Sequence, residues 1–397
     1  MDNLPIVLNA LRDPAGVPFY PVVFQGLYIL TWALHIAFVL LALGGMGLSL
    51  FGQTKKNASE NWNLLTSHMV QISKVSVSVL IVLGVAPLLF TQVIYDPNWY
   101  VTNTLSGLWV AAFIYIMVFG YSIWYWFASA NKKDSKNALF IGAVAFALMV
   151  FGGILMHAFA YESIQPEQWM NWYAPNGIID DSGTILKIDI VRLAFMVSLA
   201  VPVLGIFLLN YRDYMSKKEG MKSDYLEFVG NMGKKLGVVG FLISAVLFVV
   251  WMLKEGLLFN PLSLAIVVCV LVLLYMIIGV KNSYYTTIVL VVAALLISGL
   301  REYIRYSIMI DLDYNIYNYT VNTDWPSVIM FLLTFVFVGF SGVIFLLTLA
   351  WKAGRKQGLY ESDAVDHKLG NITIGITITW MVVFLAWGLY IVFKNSL

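Results

Sequence analysis

Two histidines lie within long apolar segments of the chain, where an ionisable side chain needs a specific reason. His35 lies in ALHIAFVLLALGG (33–45), and His157 lies in FGGILMHAFAY (151–161). Neutral imidazole is a common axial ligand of heme iron, and inside a membrane it also forms hydrogen bonds between helices. The two positions are therefore candidate ligands of a b-type heme, with hydrogen bonding between helices as the alternative.

Charged residues form the second candidate group. A charge in hydrocarbon costs on the order of 3 kcal/mol, so each such residue is a candidate for function. The group comprises Lys187, Asp189 and Arg192 near the start of one apolar segment, and Arg301, Glu302 and Arg305 near the end of a later one. Arginine forks suit anions such as heme propionates, quinone oxygens or carboxylates, and a buried carboxylate suits proton transfer. We interpret the arginines as cofactor-binding and Glu302 and Asp189 as proton carriers; a structural network of ion pairs is the alternative.

The composition is that of a membrane protein. The 397 residues are 60% hydrophobic and only 12% charged, with a mean hydropathy of +0.81, whereas about a quarter of the residues of a soluble domain are charged. The single Cys269 excludes an internal disulfide, a Cys-x-x-Cys-His attachment of c-type heme, and an Fe–S cluster held by this chain alone. The cations form no basic face, which argues against nucleic acid as a partner.

Windows of about 20 apolar residues predict ten membrane-spanning helices and hence an all-α polytopic membrane protein. The predicted spans are 22–51, 69–94, 104–129, 138–162, 185–211, 236–254, 261–280, 284–309, 326–351 and 371–393. Arg192 and Arg301 would each lie roughly 10–12 Å inside the same membrane boundary, at a rise of 1.5 Å per residue. His157 shares that half of the bilayer, so the candidate residues are predicted to lie at one depth.

Lysine and arginine occur in every second connection, which predicts the orientation of the bundle. The basic connections carry Lys55 and Lys56; Lys132, Lys133 and Lys136; the run from Arg212 to Lys235; Lys281; and Lys352, Arg355, Lys356 and Lys368. By the positive-inside rule these connections face the cytoplasm and both termini lie outside. We expect the membrane to be the cytoplasmic membrane of a prokaryote. His68 and His367 fall on the basic side and are interpreted as interfacial or solvated.

Three stretches resemble subunit I of the cytochrome bd-type quinol oxidase family. His35 is followed by Phe38, Val39, Leu41, Leu43 and Gly44, where that family has the heme-ligand histidine of its first helix. SGLREYIRYSIM (298–309) is similar to the family's stretch near the end of the eighth helix, with Glu302 and Arg305 at the acidic and arginine positions. Gln165-Pro166 with Trp169 follows the fourth helix. The resemblance implies a nine-helix bundle over 22–355, an outer segment 1–21, and an additional tenth helix within 356–397.

The departures from the family concern its chemistry. Oxygen-reducing members have glutamates in the third helix, whereas residues 105–129 contain no acidic or basic residue. The family's low-spin heme takes a histidine early in the fifth helix, where this sequence has Arg192, and its long quinol-binding loop is replaced by a short connection from Glu255 to Asn260. These departures argue against oxygen reduction and against quinol oxidation at the family's usual site.

The resulting hypothesis is a bd-like subunit of a respiratory electron-transfer complex. It would pass electrons between membrane quinone and an outer-side partner, such as a multiheme c-type cytochrome, through b-type heme. Two alternatives remain open at this point. One is a heme-free anchor that binds quinone or docks a cytochrome through the arginine cluster. The other is a secondary transporter that binds an anionic solute in the outer half of the membrane.

Overall fold

The computed structural model describes residues 3–56, 58–279, 282–356 and 358–396, and these are arranged as helices and connections with no β-sheet. Ten of the helices within these ranges are long and apolar enough to cross a membrane, which confirms the predicted all-α polytopic class. Lys281, one of the orienting cations, lies outside the described residues. The spans are α1 Pro21–Thr54, α2 Glu60–Ile94, α3 Gly107–Lys132, α4 Ala138–Glu162, α5 Ile190–Met215, α6 Ser223–Glu255, α7 Pro261–Gly279, α8 Tyr284–Asp311, α9 Trp325–Ala353 and α10 Ala364–Lys394.

Several helices begin earlier than their apolar windows. The α2 helix begins at Glu60 instead of residue 69, and the Ser59 side chain caps it by accepting a hydrogen bond from the backbone N–H of Trp62. The α6 helix begins at Ser223 instead of residue 236. Helical hydrogen bonding extends past the apolar window with a side-chain cap in α2 and without one in α6, so hydropathy alone understates helix length.

The fifth span begins later than predicted. Residue 185 was the expected start, but the helix begins at Ile190 with Asp189 as its N-cap residue, so Lys187 and Asp189 do not occupy its first turns. The span also breaks at Leu199, between Ile190–Ser198 and Ala200–Met215. Pro202 explains the break, because it has no N–H to donate to the carbonyl of Ser198 and its ring crowds that carbonyl.

The first span is the centre of the bundle. Helix α1 packs against α2, α4, α5 and α8, and neighbouring spans pack as the pairs α3 with α4, α5 with α6, and α7 with α8. Glycines permit the closest approaches: a Cβ at Gly205 would lie 2.3 Å from the backbone nitrogen of Gly237. This packing brings α1, α5 and α8, which carry most of the candidate residues, into mutual contact.

One end of the bundle is closed by ordered connections, which we call the cap. It contains the short helices Leu4–Ala10, Asp96–Leu105 and Pro166–Tyr173 together with residues 312–322. Val17 and Val321 form a β-bridge between the N-terminal segment and the last of these, and Arg12 donates to the carbonyl of Asn315 at 2.8 Å. The Trp169 indole is 6% exposed and donates to the carbonyl of Glu162. The cap is therefore a packed layer over the spans.

The opposite end, which we call the basic end, is joined by ion pairs between connections. Lys222 bonds the carboxylate of Glu60 at 2.7 Å, and Lys356 bonds Glu219 at 3.0 Å. The alternation of basic and cation-poor connections predicted from the sequence thus corresponds to two physical ends of the bundle.

The last two spans form a hairpin of their own. Helix α9 packs against α10, and no residue in the apolar window of either span is buried. The hairpin meets the bundle near the basic end, where the Tyr214 hydroxyl donates to the carbonyl of Trp351 at 3.0 Å. The ninth span, which the resemblance places within a nine-helix bundle, here packs with the tenth.

Candidate functional site

One face of α1 carries four polar or aromatic side chains, of which three contact α8 and the fourth, His35, contacts α2. Gln25, Tyr28, Trp32 and His35 are spaced by three, four and three residues, which places them on one side of a helix. The first three contact the charged residues near the end of α8. His35 therefore lies one turn deeper on the same stripe.

Glu302 is the buried carboxylate of the site, with 2% of the residue exposed. Its Oε1 accepts hydrogen bonds from the Tyr95 hydroxyl at 2.7 Å and from the Gln25 amide at 2.9 Å. Its Oε2 has no hydrogen-bond partner among the described residues and lies 3.6 Å from Nη1 of Arg305. Burial, and then the neighbouring Glu302 charge, raise the pKa of Tyr95 well above its usual value, so this hydroxyl remains a donor to Glu302.

Arg305 is the arginine of the site that has a carboxylate partner. It pairs with Glu302, and its Nη2 donates to the Tyr28 hydroxyl at 3.1 Å. Its guanidinium carbon lies 4.7 Å from the centre of the Tyr28 ring and 5.0 Å from that of Tyr95. A buried cation surrounded in this way is neutralised by its own protein environment.

Arg301 is held mainly by an aromatic ring. Its guanidinium carbon lies 3.9 Å from the centre of the Trp32 ring, and Nη1 approaches the Tyr28 hydroxyl at 3.5 Å, the outer limit of a hydrogen bond. Its charge interacts electrostatically with His35, His157 and Arg192. Arg301 is therefore the group that connects the predicted residues of three other spans.

Arg192 is buried, with 7% of the residue exposed, and no side-chain hydrogen bond or ion pair to it is present among the described residues. Its guanidinium carbon lies 5.8 Å from the centre of the Trp251 ring. Glu255 is within electrostatic range, but its carboxylate accepts from the Trp251 indole at 3.2 Å. The guanidinium N–H groups of Arg192 are thus available to donate hydrogen bonds to a bound anion.

The two histidines use their rings differently. Nδ1 of His35 lies 2.9 Å from the carbonyl oxygen of Leu80, and since a carbonyl only accepts, Nδ1 carries the proton. The Nε2 lone pair of His35 is then free to bind a metal, the arrangement found at metal-ligating histidines. Nε2 of His157 lies 3.0 Å from the carbonyl of Asp189 and must donate to it, so His157 presents Nδ1 instead.

Asp189 is committed to local structure. Its Oδ1 accepts from the backbone N–H groups of Val191 and Arg192, and its Oδ2 accepts from Lys254 at 2.7 Å. Burial opposes ionisation of this carboxyl, but the hydrogen bonds from Lys254 and the helix N-terminus outweigh it and lower its pKa. Asp189 therefore caps α5 with one oxygen and pairs with Lys254 of α6 through the other.

The site consequently has an excess of positive charge. Lys254 neutralises Asp189, and Arg305 pairs with Glu302, while Arg192 and Arg301 have no carboxylate within ion-pair distance among the described residues. Lys187, counted from the sequence as a further cation of the site, lies over the Trp172 ring in the cap. The buried guanidinium of Arg192 and the half-buried guanidinium of Arg301 therefore favour binding of an anion or of electronegative oxygens.

Several contacting residues were not identified from the sequence, among them Gln25, Tyr28, Trp32, Tyr95 and Lys254. The first three share the helical spacing of His35, and that spacing is the signal that finds them. Tyr95 and Lys254 flank the ends of α2 and α6, where tyrosine and lysine are common interfacial residues. Their contacts with Glu302 and Asp189 depend on packing between spans.

The remaining histidines lie toward the basic end. His68, expected to be solvated or interfacial, is half-buried, with its Nδ1 bonded to the Tyr211 hydroxyl and 3.3 Å from that of Tyr225. His367 is exposed. Among the described residues no three His, Cys, Asp or Glu side chains converge on a metal site. A porphyrin, which supplies four nitrogen ligands itself, needs only one imidazole.

Comparisons with models of protein families, with curated proteins and with solved structures found no match for this chain.

Proposed function

We propose that this chain is an integral membrane subunit of a respiratory electron-transfer complex, which passes electrons between membrane quinone and an outer-side c-type cytochrome through b-type heme. The observation that carries the proposal is the presence, in one region of the bundle, of a buried Arg192 and a half-buried Arg301 without carboxylate partners in the described part of the chain, and of His35, whose Nε2 is free. Ligands with anionic or electronegative oxygens and an iron centre are the chemistry that this set accommodates.

The residues fit a heme with one axial histidine. His35 offers Nε2 from a ring fixed by Leu80, and Arg192 and Arg301 suit propionate carboxylates. His157 fits the role of a hydrogen-bonding group better than that of a second ligand, because its Nε2 already donates to Asp189. When bound, the heme would supply one-electron transfer, with its iron held by His35 and its propionates by Arg192 and Arg301.

Glu302 is the residue best placed for the proton chemistry of quinone. Oxidation of a quinol to a quinone releases two electrons and two protons, and the unbonded Oε2 of Glu302 can accept one proton from a quinol hydroxyl. Asp189 is less suited, since both of its oxygens accept hydrogen bonds already. Arg305 holds the Glu302 carboxylate in place from 3.6 Å.

The positive-inside rule places the basic end in the cytoplasm and the cap outside, in the cytoplasmic membrane of a prokaryote. The candidate site then lies in the outer half of the bilayer, beneath the cap. The single cysteine of the given sequence cannot attach a c-type heme, so we assign electron transfer beyond the membrane to a partner. A c-type cytochrome on the cap suits that role. This orientation and the likeness to bd-type subunit I are parts of the proposal.

His35→Ala is expected to abolish the b-type heme signal assignable to this chain. The imidazole is the axial ligand in the proposal, and alanine has no donor atom to replace it. Pyridine hemochrome content and reduced-minus-oxidised spectra of the purified complex measure the change. His367→Ala is the matched control, because that histidine is exposed at the basic end, and its spectrum should be unchanged. An unaltered spectrum of His35→Ala would favour the heme-free anchor.

Gly84→Ala is expected to reduce heme affinity by about 10–100-fold, the effect of disturbing the groups that orient a metal ligand. A Cβ at Gly84 would lie 2.8 Å from Cε1 of His35 and 3.0 Å from its Nδ1, which forces the ring away from Leu80. Heme titration of the purified protein measures this affinity. Gly153→Ala on α4 is the control, since nothing lies within 4 Å of its added methyl group. If the two variants have equal heme affinities, His35 is not a ligand of the heme.

A secondary transporter for an anionic solute is the second candidate, because unpaired arginines also suit a carboxylate substrate. Uptake of an organic anion into proteoliposomes, without any redox partner and abolished by Arg192→Gln, would favour it. The same proteoliposomes are expected to show no uptake if the site binds heme and quinone.

A further inference from the structure

A cavity lies at the basic end, away from the candidate site. Its volume is about 300 Å³, and its walls come from α5, α6, α7 and the start of α8. That volume is at the lower end of the range of about 300–1,000 Å³ typical of ligand pockets. The lining divides into a polar part, comprising Arg212, Lys234, Ser283 and Thr286, and an apolar part, comprising Leu209, Met276, Ile277 and Ile278.

The polar part carries net positive charge. The guanidinium of Arg212 pairs with Asp213 at 2.5 Å, and the second oxygen of Asp213 accepts from the backbone N–H of Ser283 at 2.9 Å. Lys234 is exposed, and no carboxylate within the described ranges lies at ion-pair distance from it. One carboxylate for two cations leaves one positive charge beside the hydroxyl-bearing wall.

The apolar part reaches the hydrocarbon at Ile278, whereas Leu209 and Ile277 are buried between the spans. Ile278 is 68% exposed near the end of α7, and Leu271 and Tyr275 on the same helix are also exposed. On a membrane-spanning helix such surfaces contact lipid chains. The cavity therefore joins a cationic, hydroxyl-lined region at the membrane boundary to an apolar region within the hydrocarbon.

We propose that this cavity binds the headgroup phosphate of an anionic phospholipid from the leaflet at the basic end. Arg212 and Lys234 pair with the phosphate, the wall near Ser283 and Thr286 contacts the headgroup, and one acyl chain lies along Ile278 and the exposed face of α7. A free phosphate would use only the polar half of the lining, whereas a phospholipid uses both halves. The site is independent of the proposed redox function, since it shares no residue with it.

Native mass spectrometry of the full-length protein in detergent tests the proposal with phosphatidylglycerol and phosphatidylcholine of identical acyl chains. The wild type is expected to retain phosphatidylglycerol in preference to phosphatidylcholine. Each basic residue near a membrane surface changes anionic lipid binding about fivefold. We expect about a fivefold loss of phosphatidylglycerol affinity for Lys234→Gln and about a 25-fold loss for Lys234→Glu.

Lys235→Glu is the matched control, because this lysine is the next residue, is also exposed, and does not line the cavity. Unchanged binding in Lys235→Glu supports the site. Equal losses in the two charge-reversal variants would overturn it in favour of general attraction between the basic end and anionic lipid. Equal retention of phosphatidylcholine, or displacement of phosphatidylglycerol by millimolar inorganic phosphate, would also overturn it.

Discussion

Arg192→Gln is expected to raise the free energy of unfolding of the ligand-free protein by about 1–3 kcal/mol, because it removes a buried charge that no carboxylate neutralises. Arg305→Gln is expected to lower it by about 3–5 kcal/mol, because it leaves the buried Glu302 carboxylate unpaired. Chemical denaturation in detergent micelles, followed by tryptophan fluorescence, measures both. The two expected changes in unfolding free energy have opposite signs because Arg305 has a carboxylate partner and Arg192 has none within the described ranges.

The effect of Arg192→Gln on stability should reverse in sign when heme is bound. A bound propionate or other anion would neutralise Arg192, and its loss would then cost about 1.5–3 kcal/mol of binding, the usual value of a hydrogen bond to a charged group. Addition of heme to the wild type and to the variant tests this reversal. A ligand-free Arg192→Gln protein destabilised as strongly as Arg305→Gln would mean that Arg192 belongs to a structural ion-pair network.

The membrane class and the depth of the candidate residues could be predicted from the sequence because both follow from one-dimensional patterns. Apolar runs of about 20 residues locate spans, and counting 1.5 Å per residue from their ends places Arg192 and Arg301 at similar depths. The structure brings these two arginines within electrostatic range of each other and of His157. The depth of a residue in the membrane does not determine which helix faces meet. The contact of Arg301 with Trp32 therefore could not be predicted from the sequence, because it depends on how α1 packs on α8.

Capping explains the principal error at the site. Apolar content placed the start of α5 at residue 185, yet the helix begins only where an Asp side chain can accept from its first free N–H groups. Asp189 therefore became a cap, and its other oxygen found Lys254 on α6, a partner 65 residues away. The hydropathy of a window contains no information about either interaction.

The packing of α9 shows a further limit of sequence reasoning. Its apolar composition predicts a span but gives no preference between the bundle and α10, because every face of the helix suits lipid. In the structure it pairs with α10, and α9 contributes no described residue to the candidate site. The site consequently depends on the first eight spans and the cap.

Glu302→Gln is expected to lower the turnover of quinol oxidation by about 10²–10⁴-fold, the usual contribution of a general base. Glutamine can still accept from Tyr95 and Gln25 through its carbonyl oxygen, but it cannot take a proton from a quinol hydroxyl. Stopped-flow reduction of the heme by a short-chain quinol measures the rate. Because the variant affects the transfer step, kcat should fall while KM changes little, and heme content should equal that of the wild type.

Asp189→Asn is the comparison that distinguishes the two carboxylates. Asparagine is as good an N-cap as aspartate, so the start of α5 is retained. The lost ion pair involves a Lys254 side chain that is 48% exposed, and such partly solvated pairs contribute at most about 1 kcal/mol. We therefore expect quinol oxidation to stay within about fivefold of the wild-type rate. If Asp189→Asn lowers the rate of quinol oxidation more than Glu302→Gln does, the proton acceptor is Asp189 at the start of α5 and not Glu302 on α8. His157, which donates to the Asp189 carbonyl, would then become its immediate neighbour in the proton path.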